Sequence, residues 1–293
     1  MASSTPLPLK ATPRFAFPAL VLSNVILAVG PVLVRLTDVG PVAAAFWRLA
    51  LALPVLIALA LPGLRRAPLT PRLWAMMGLA GLLFAADLAS WHLGIGHTKV
   101  ANATLFGNAS ALALPLWGMI VLRQRPAPMQ AAALLLAAVG AAILLGGSYE
   151  LSPRNLHGDL LCLLAGLLYT AYLLVVQDAR RTLDSWSVLA LASAAGALPL
   201  LAAAIGMGER VVPGDWTWVI VLALSSQIVG QGLLTYAIGW FSPLVLGLSL
   251  LLQPAVSALV GWLLFDEWLS VADLFGAAAV SAALVLVRLP ARS

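Results

Sequence analysis

The chain has 293 residues, of which 62% are hydrophobic and 9% are charged, and its mean hydropathy is +1.02. A soluble domain carries roughly 25% charged residues. A chain this poor in charge cannot cover a water-facing surface, so the composition excludes a soluble globular protein and indicates a membrane protein.

Ten apolar segments follow one another along the chain, and a membrane helix needs about 20 residues. Lipid offers no partner to backbone N–H and C=O groups, so only helices fit these uniformly apolar runs; the strands of a membrane barrel would alternate with period two. We predict an all-α integral membrane protein with ten transmembrane helices at 15–35, 42–61, 73–95, 100–121, 129–146, 158–177, 186–206, 215–238, 243–265 and 271–288.

The ten segments divide into two halves of five, and five is an odd number. A second copy of a five-span unit must enter the bilayer from the opposite side, which is typical of inverted-repeat transporters whose substrate site lies between the halves. An offset of 145 residues aligns the halves and matches Pro54 with Pro199, Gly94 with Gly239, Trp91 with Tyr236 and Trp117 with Trp262. The predicted units are a tail at 1–14, a first five-helix repeat at 15–146, a linker at 147–157, a second repeat at 158–288 and a tail at 289–293.

The net charge of +5 reflects an uneven distribution of basic residues between the two sides of the membrane. With the N-terminus and every second loop on one side, that side holds eleven of the 16 lysines and arginines: Lys10, Arg14, Arg65, Arg66, Arg72, Arg123, Arg125, Arg180, Arg181, Arg288 and Arg292. The other side holds four, namely Arg35, Lys99, Arg154 and Arg210. The positive-inside rule then places both termini in the cytoplasm and the linker in the periplasm of a bacterial inner membrane. This charge directs topology, and we expect no nucleic-acid partner.

Polar side chains near the middle of the spans are candidate site residues, because helices in lipid tolerate few of them. They are Asn24, Asn108, Tyr169, Gln227, Gln231 and Gln253, and the offset of 145 pairs Asn24 with Tyr169. Together they offer amide and hydroxyl partners to a polar or zwitterionic solute in a central cavity. The alternative is ordinary hydrogen bonding between helices, worth only about 0.6 kcal/mol on average.

Arg48 and Asp87 are the charged residues that lie well inside the spans. Each would relieve the cost of burying the other, so we predict that they pair or share one polar pocket. The alternative is that Arg48 extends to the interface while Asp87 sits in water.

Trp91 and His92 follow one helical turn after Asp87 and suit a substrate that is an amino acid or carries an aromatic group. His92 also has the chemistry to carry a proton, whereas Trp91 alone fits an interfacial aromatic belt. His92 and His97 are five residues apart, a poor spacing for two zinc ligands on one helical face. We therefore predict no metal site at these residues, and we expect no cofactor.

Three passages of the chain resemble a known family. Residues 91–103, WHLGIGHTKVANA, are similar to the W-x-x-A/G…T-x-x-A-x-A passage of the EamA domains in the drug/metabolite transporter superfamily. Residues 253–267, QPAVSALVGWLLFDE, are similar to its Pro…Gly…Glu signature, and Phe46-Trp47-Arg48 resembles the start of its second span. Gln124 and Arg125 depart from the pattern, because an acidic residue often stands there in the first half.

The resemblance implies an exporter of small metabolites, and within the superfamily the chain looks most like the YddG type that exports aromatic and other neutral amino acids. Efflux of drugs or other metabolites on the same scaffold is the alternative. An intramembrane enzyme is not favoured, because the sequence has neither H-E-x-x-H nor G-x-S-x-G. Nothing suggests an ATP-binding domain or an ATPase partner, so the expected partners are a small-molecule substrate and the lipid bilayer.

Overall fold

The computed structural model describes residues 13–67, 69–98, 103, 106–124, 126–146, 153–265 and 271–286. Most of both predicted tails, the start of the predicted linker and the Asp266-Glu267 end of the second motif lie outside the described residues. The regular structure of the described part is entirely helical, as predicted.

Ten apolar helical regions, numbered α1 to α10, follow one another along the chain. Six of them, α1, α2, α3, α6, α7 and α8, are long and apolar enough to cross a membrane; the apolar stretches of the other four are shorter. The regions are α1 (Ala16–Leu36), α2 (Pro41–Leu64), α3 (Pro71–His97), α4 (Ser110–Ile120), α5 (Pro128–Gly146), α6 (Leu156–Ala179), α7 (Ser185–Gly206), α8 (Thr217–Ile238), α9 (243–265) and α10 (Val271–Leu286).

Helix starts follow from local sequence. Proline occupies the first position of α2, α3, α5 and α9, where its missing N–H has no helical partner to lose. The side chain of Thr70 accepts a hydrogen bond from Leu73 N and caps α3, and the Asp184 carboxylate accepts from Trp186 N and Ser187 N and caps α7.

Four helices are irregular near their middle. α1 consists of Ala16–Ala28 and Gly30–Leu36, α2 of Pro41–Ala50 and Leu53–Leu64, and α9 of Pro243–Leu250 and Leu252–Phe265. A proline (Pro31, Pro54 or Pro254) follows each break within three residues, because proline removes a backbone hydrogen bond and clashes with the preceding turn. α8 instead contains a π-helical segment at Ala223–Gly230. Pro115 and Pro199 also lie inside helices, but they do not break α4 or α7.

The helix contacts follow a two-fold pattern that exchanges the halves of the chain. Helix α1 packs on α8, and the equivalent helices α6 and α3 also pack together. The pair α1–α9 matches α6–α4, and α2–α8 matches α7–α3. Three helices, α2, α4 and α5, contact their own counterparts, α7, α9 and α10. The described residues therefore form two five-helix repeats.

These contacts are antiparallel. Gly63, near the end of α2, lies against Asp184 at the start of α7, whereas Leu49 earlier in α2 lies against Gly196. The pair of α4 and α9 behaves in the same way, because Gly118 is near Pro243 and Pro115 is near Gly247. Helices that contact their own counterparts run antiparallel, as an axis in the membrane plane requires. We call the end of the bundle where α1 begins the proximal end and the opposite end the distal end.

Glycines permit the closest helix contacts. A Cβ atom built at Gly81 in α3 would lie 2.6 Å from the Ala192 carbonyl oxygen and 2.8 Å from Gly196 N in α7. A Cβ atom built at Gly78, one turn earlier in α3, has no heavy atom of a neighbouring helix within 4 Å. Close approach of backbones is the usual basis of helix packing in lipid, where no hydrophobic force draws helices together.

We predict that Gly81→Ala destabilises the protein by about 1–3 kcal/mol, the range of overpacked cores, because α3 and α7 must separate to admit the methyl group. Gly78→Ala is the matched control and leaves stability unchanged or slightly raised. Thermal unfolding of both variants in detergent measures the difference. Equal melting temperatures for the two variants would contradict the packing described for α3 and α7.

Candidate functional site

A cavity of about 100 Å³ lies between the two halves of the bundle. It is bounded by residues of α1, α2, α3, α6, α8 and α9 together with the segment before α4. Seven of the ten candidate residues line it, namely Arg48, Asp87, Trp91, Asn108, Tyr169, Gln231 and Gln253. Side chains that are far apart in sequence therefore converge on one cavity that has both polar and apolar lining residues.

Arg48 and Asp87 face this cavity from α2 and α3 and are only 4% and 8% exposed. Between these two described side chains no N···O distance falls within 4.0 Å, so they share a pocket without forming a direct ion pair. Arg48 Nε donates to Gln227 Oε1 at 3.1 Å, and its guanidinium lies over the Phe84 ring at 5.7 Å from the centroid. Two opposite charges thus line the same cavity without direct contact between them.

Amide side chains join the helices around the cavity. Gln253 donates to Asn24 Oδ1 at 3.0 Å, and Asn24 in turn donates to Ser249 Oγ at 3.3 Å, which ties α9 to α1. Asn24 is fully buried and does not line the cavity. Gln231 donates to the Tyr169 hydroxyl at 3.2 Å and connects α8 with α6.

Two candidate residues point away from the cavity. His92 is 2% exposed, and its Nδ1 donates to the Pro41 carbonyl at 2.7 Å, so the imidazole packs on the start of α2. Gln227 is fully buried behind Arg48 and donates to Ser193 Oγ at 2.9 Å. Neither side chain is placed to touch a solute in the cavity.

Phe84 also borders the cavity and was not among the candidate residues. Its ring stacks on Tyr172 with 4.5 Å between centroids, and Tyr169 continues the aromatic group. Its helical spacing from Asp87 could have identified Phe84, because both residues lie on one face of α3 with Leu88 and Trp91. Ser193 was not a candidate either, since a serine in a membrane helix carries little signal alone.

Irregular backbone lies next to the cavity. Pro31 and Leu27 both line it, and Pro31 cannot donate to the Leu27 carbonyl as a helical residue would. The break in α2 follows Arg48, and the π-helical segment of α8 ends just before Gln231. Backbone of this kind is tolerated at membrane depth where it is buried in protein or lines a cavity.

The proximal end of the bundle is closed by side chains on backbone carbonyls. Gln177 donates to the Phe241 carbonyl at 2.8 Å and Arg180 to the Thr235 carbonyl at 2.9 Å, which joins the end of α6 to the end of α8. Phe17 packs edge-on against Phe241, with 6.2 Å between ring centroids. The cavity lies beyond this closure, because Pro31 and Trp91 belong to the distal parts of α1 and α3.

The distal ends of α2 and α8 are connected through loops. The Glu209 carboxylate accepts hydrogen bonds from Val42 N and Ala43 N at the start of α2. Arg210 lies 3.3 Å from Asp38 in an exposed ion pair, and Asp38 also accepts from Gly214 N. The loop after α7 therefore holds the turn between α1 and α2.

The sequence profile of the EamA-like transporter family matches residues 14–146 and 156–289. An uncharacterized transporter of Archaeoglobus fulgidus is 26% identical over 274 residues, which are 93% of this chain and 96% of the relative. A solved crystal structure has a similar fold, with a TM-score of 0.73 and 22% identity over 95% of this chain and 97% of that chain. Family and relative are both described as transporters. Because the family profile covers both five-helix repeats, the chain is a multi-pass membrane protein that belongs to the EamA-like transporter family.

Proposed function

We propose that this protein is a ten-span transporter of the bacterial inner membrane that exports aromatic and other neutral amino acids by alternating access. The observation that carries the amino-acid assignment is the presence of Arg48 and Asp87 in one cavity without a direct ion pair between them. A buried charge is costly unless another group meets it. A zwitterion supplies a carboxylate for Arg48 and an ammonium group for Asp87.

The chemistry of the cavity fits an α-amino acid. Arginine presents a planar fork of donors that matches a carboxylate in a bidentate arrangement. Asp87 supplies an anionic acceptor for the α-ammonium group. Trp91, Tyr169 and Phe84 offer aromatic faces to the side chain, and an aromatic face also attracts an ammonium group.

The repeat supports alternating access through two corresponding arginines. Arg180 closes the proximal end on α8, and the offset of 145 places Arg35, at the end of α1, in the equivalent position of the first half. The same offset relates Thr235 to Ser90 in α3. Arg35 is exposed, and no hydrogen bond joins it to another described residue. In an inverted repeat the second state exchanges these roles, so Arg35 closes the distal end on α3 while Arg180 releases α8.

The charge distribution supports the orientation of this cycle. With eleven basic residues on the side of the termini, the proximal end faces the cytoplasm. The described state, with its proximal end closed, then corresponds to a transporter whose substrate site faces the periplasm. Release on that side is the step that an exporter requires.

Proteoliposomes loaded with radiolabelled neutral amino acids test the substrate assignment. We predict that Arg48→Gln and Asp87→Asn each lower transport efficiency at least roughly 30-fold, because truncating one partner of a buried charge pair costs about 2–5 kcal/mol. Arg66→Gln and Asp215→Asn make the same charge changes at exposed positions and serve as controls. If no neutral amino acid moves while lipophilic cations do, the drug-efflux alternative replaces the amino-acid proposal.

Cross-linking tests alternating access. In a Cys162→Ala background, we predict that cysteines at Arg35 and Ser90 become linked by a short bifunctional thiol reagent more readily when substrate is added. Cysteines at Arg180 and Thr235, the matched pair, become linked most readily without substrate. A substrate effect of the same sign on both pairs would contradict the exchange.

Labelling with a membrane-impermeant maleimide tests the orientation in the same Cys162→Ala background. A cysteine at Asp215, in the exposed distal loop, reacts in intact spheroplasts. A cysteine at Arg66, in the exposed proximal loop, reacts only after the membrane is permeabilised. The reverse pattern would place both termini outside and overturn the assignment of export.

A further inference from the structure

The π-helical segment of α8 departs from the repeat. Residues 223–230 correspond under the offset of 145 to residues 78–85 of α3, which are regular α-helix. π-Helical turns are rare and occur frequently at functional sites. This one contains Gln227, whose neighbours are the cavity arginine and a serine of α7.

Both ends of the Gln227 side chain are held. Arginine has donors only, so the atom that meets Arg48 Nε at 3.1 Å must be the amide oxygen. The amide nitrogen is thereby directed to Ser193 Oγ, at 2.9 Å. Gln227 and Ser193 are both fully buried, so the amide has one orientation and no water to replace either bond.

This contact leaves the two terminal nitrogens of Arg48 for the cavity. Nε is the inner donor of the guanidinium, and anchoring it fixes the plane of the fork. Arg48 lines the cavity, and no hydrogen bond from its terminal nitrogens to another described residue is found. A side chain with several rotatable bonds would otherwise be free to turn toward the Asp87 carboxylate and neutralise it.

We propose that Gln227 is a positioning residue that holds Arg48 open to the substrate carboxylate and thereby makes the transporter selective for solutes that carry one. The inference rests on the proposed amino-acid function. This positioning role requires a neutral amide. A carboxylate at residue 227 would form an ion pair with Arg48 on the side away from the cavity and would compete with the substrate carboxylate. Gln227 itself stays out of contact with the solute.

Gln227→Glu tests the role with almost no change of shape. The variant keeps an acceptor for Arg48 Nε, loses the donor to Ser193 and adds a negative charge. Ser193→Ala is the matched control, because it removes the same second hydrogen bond and adds no charge.

Ligand-induced thermal stabilisation of the purified, full-length protein provides the readout with three probes: L-phenylalanine, its amine analogue phenylethylamine and its carboxylate analogue 3-phenylpropionate. We expect Gln227→Glu to weaken binding of phenylalanine and phenylpropionate at least tenfold, to leave phenylethylamine binding unchanged or stronger, and to keep the ligand-free melting temperature near that of Ser193→Ala. The control should weaken all three probes by less than about threefold.

The outcomes separate this inference from the proposed function. If phenylalanine stabilises the unaltered protein and Gln227→Glu weakens all three probes equally or none of them, the positioning role is wrong and the amino-acid function stands. If neither phenylalanine nor phenylpropionate stabilises the unaltered protein, both fail. A Gln227→Glu variant that does not fold is replaced by Gln227→Met, which removes both hydrogen bonds without adding charge and should weaken the two carboxylate probes selectively.

Discussion

The cost of holding an arginine inside an apolar bundle constrains the centre of this structure. Arg48 is nearly inaccessible, yet the described residues provide it with one hydrogen bond, from Nε to Gln227, and one aromatic face. The helices around it are irregular. The α2 helix breaks after Arg48, α8 changes to a π-helix at Gln227, and Asp87 faces the same space from α3. In the proposed function, a bound substrate provides the interactions that Arg48 lacks in the described structure.

The helix packing is repeated in the two halves, whereas the polar residues around the cavity are not. Each packing pair of one half has an equivalent pair in the other, and α2 packs antiparallel to α7 as α4 does to α9. The chemistry does not follow this pattern: Arg48 corresponds to Ser193, Asp87 to Gly232, and the regular α3 to the interrupted α8. In the proposed function, the repeated geometry would provide two equivalent closures, and the unmatched residues would provide a single binding site with one fixed orientation for the substrate.

Much of this arrangement is predictable from the sequence, because lipid leaves few choices. Ten apolar runs, their division into halves and the convergence of polar side chains such as Asn108, Tyr169 and Gln253 all follow from the cost of polar groups at membrane depth. The direction in which a polar side chain points is less predictable. Asn24, His92 and Gln227 face neighbouring helices instead of the cavity. Asn24 bonds to Ser249 and Gln253 of α9, His92 to the Pro41 carbonyl, and Gln227 lies in the π-helical segment. Hydropathy does not predict a π-helix. It also does not identify Phe84, which lines the cavity because it shares one face of α3 with Asp87 and Trp91.

The most direct test of the account is an experimental structure of the protein in lipid with a neutral amino acid bound. We expect the amino acid in the cavity between the halves, with its carboxylate within hydrogen-bond distance of the terminal nitrogens of Arg48 and its ammonium group toward Asp87. A solute bound elsewhere, or a cavity in which Arg48 and Asp87 have closed on each other with substrate present, would contradict it.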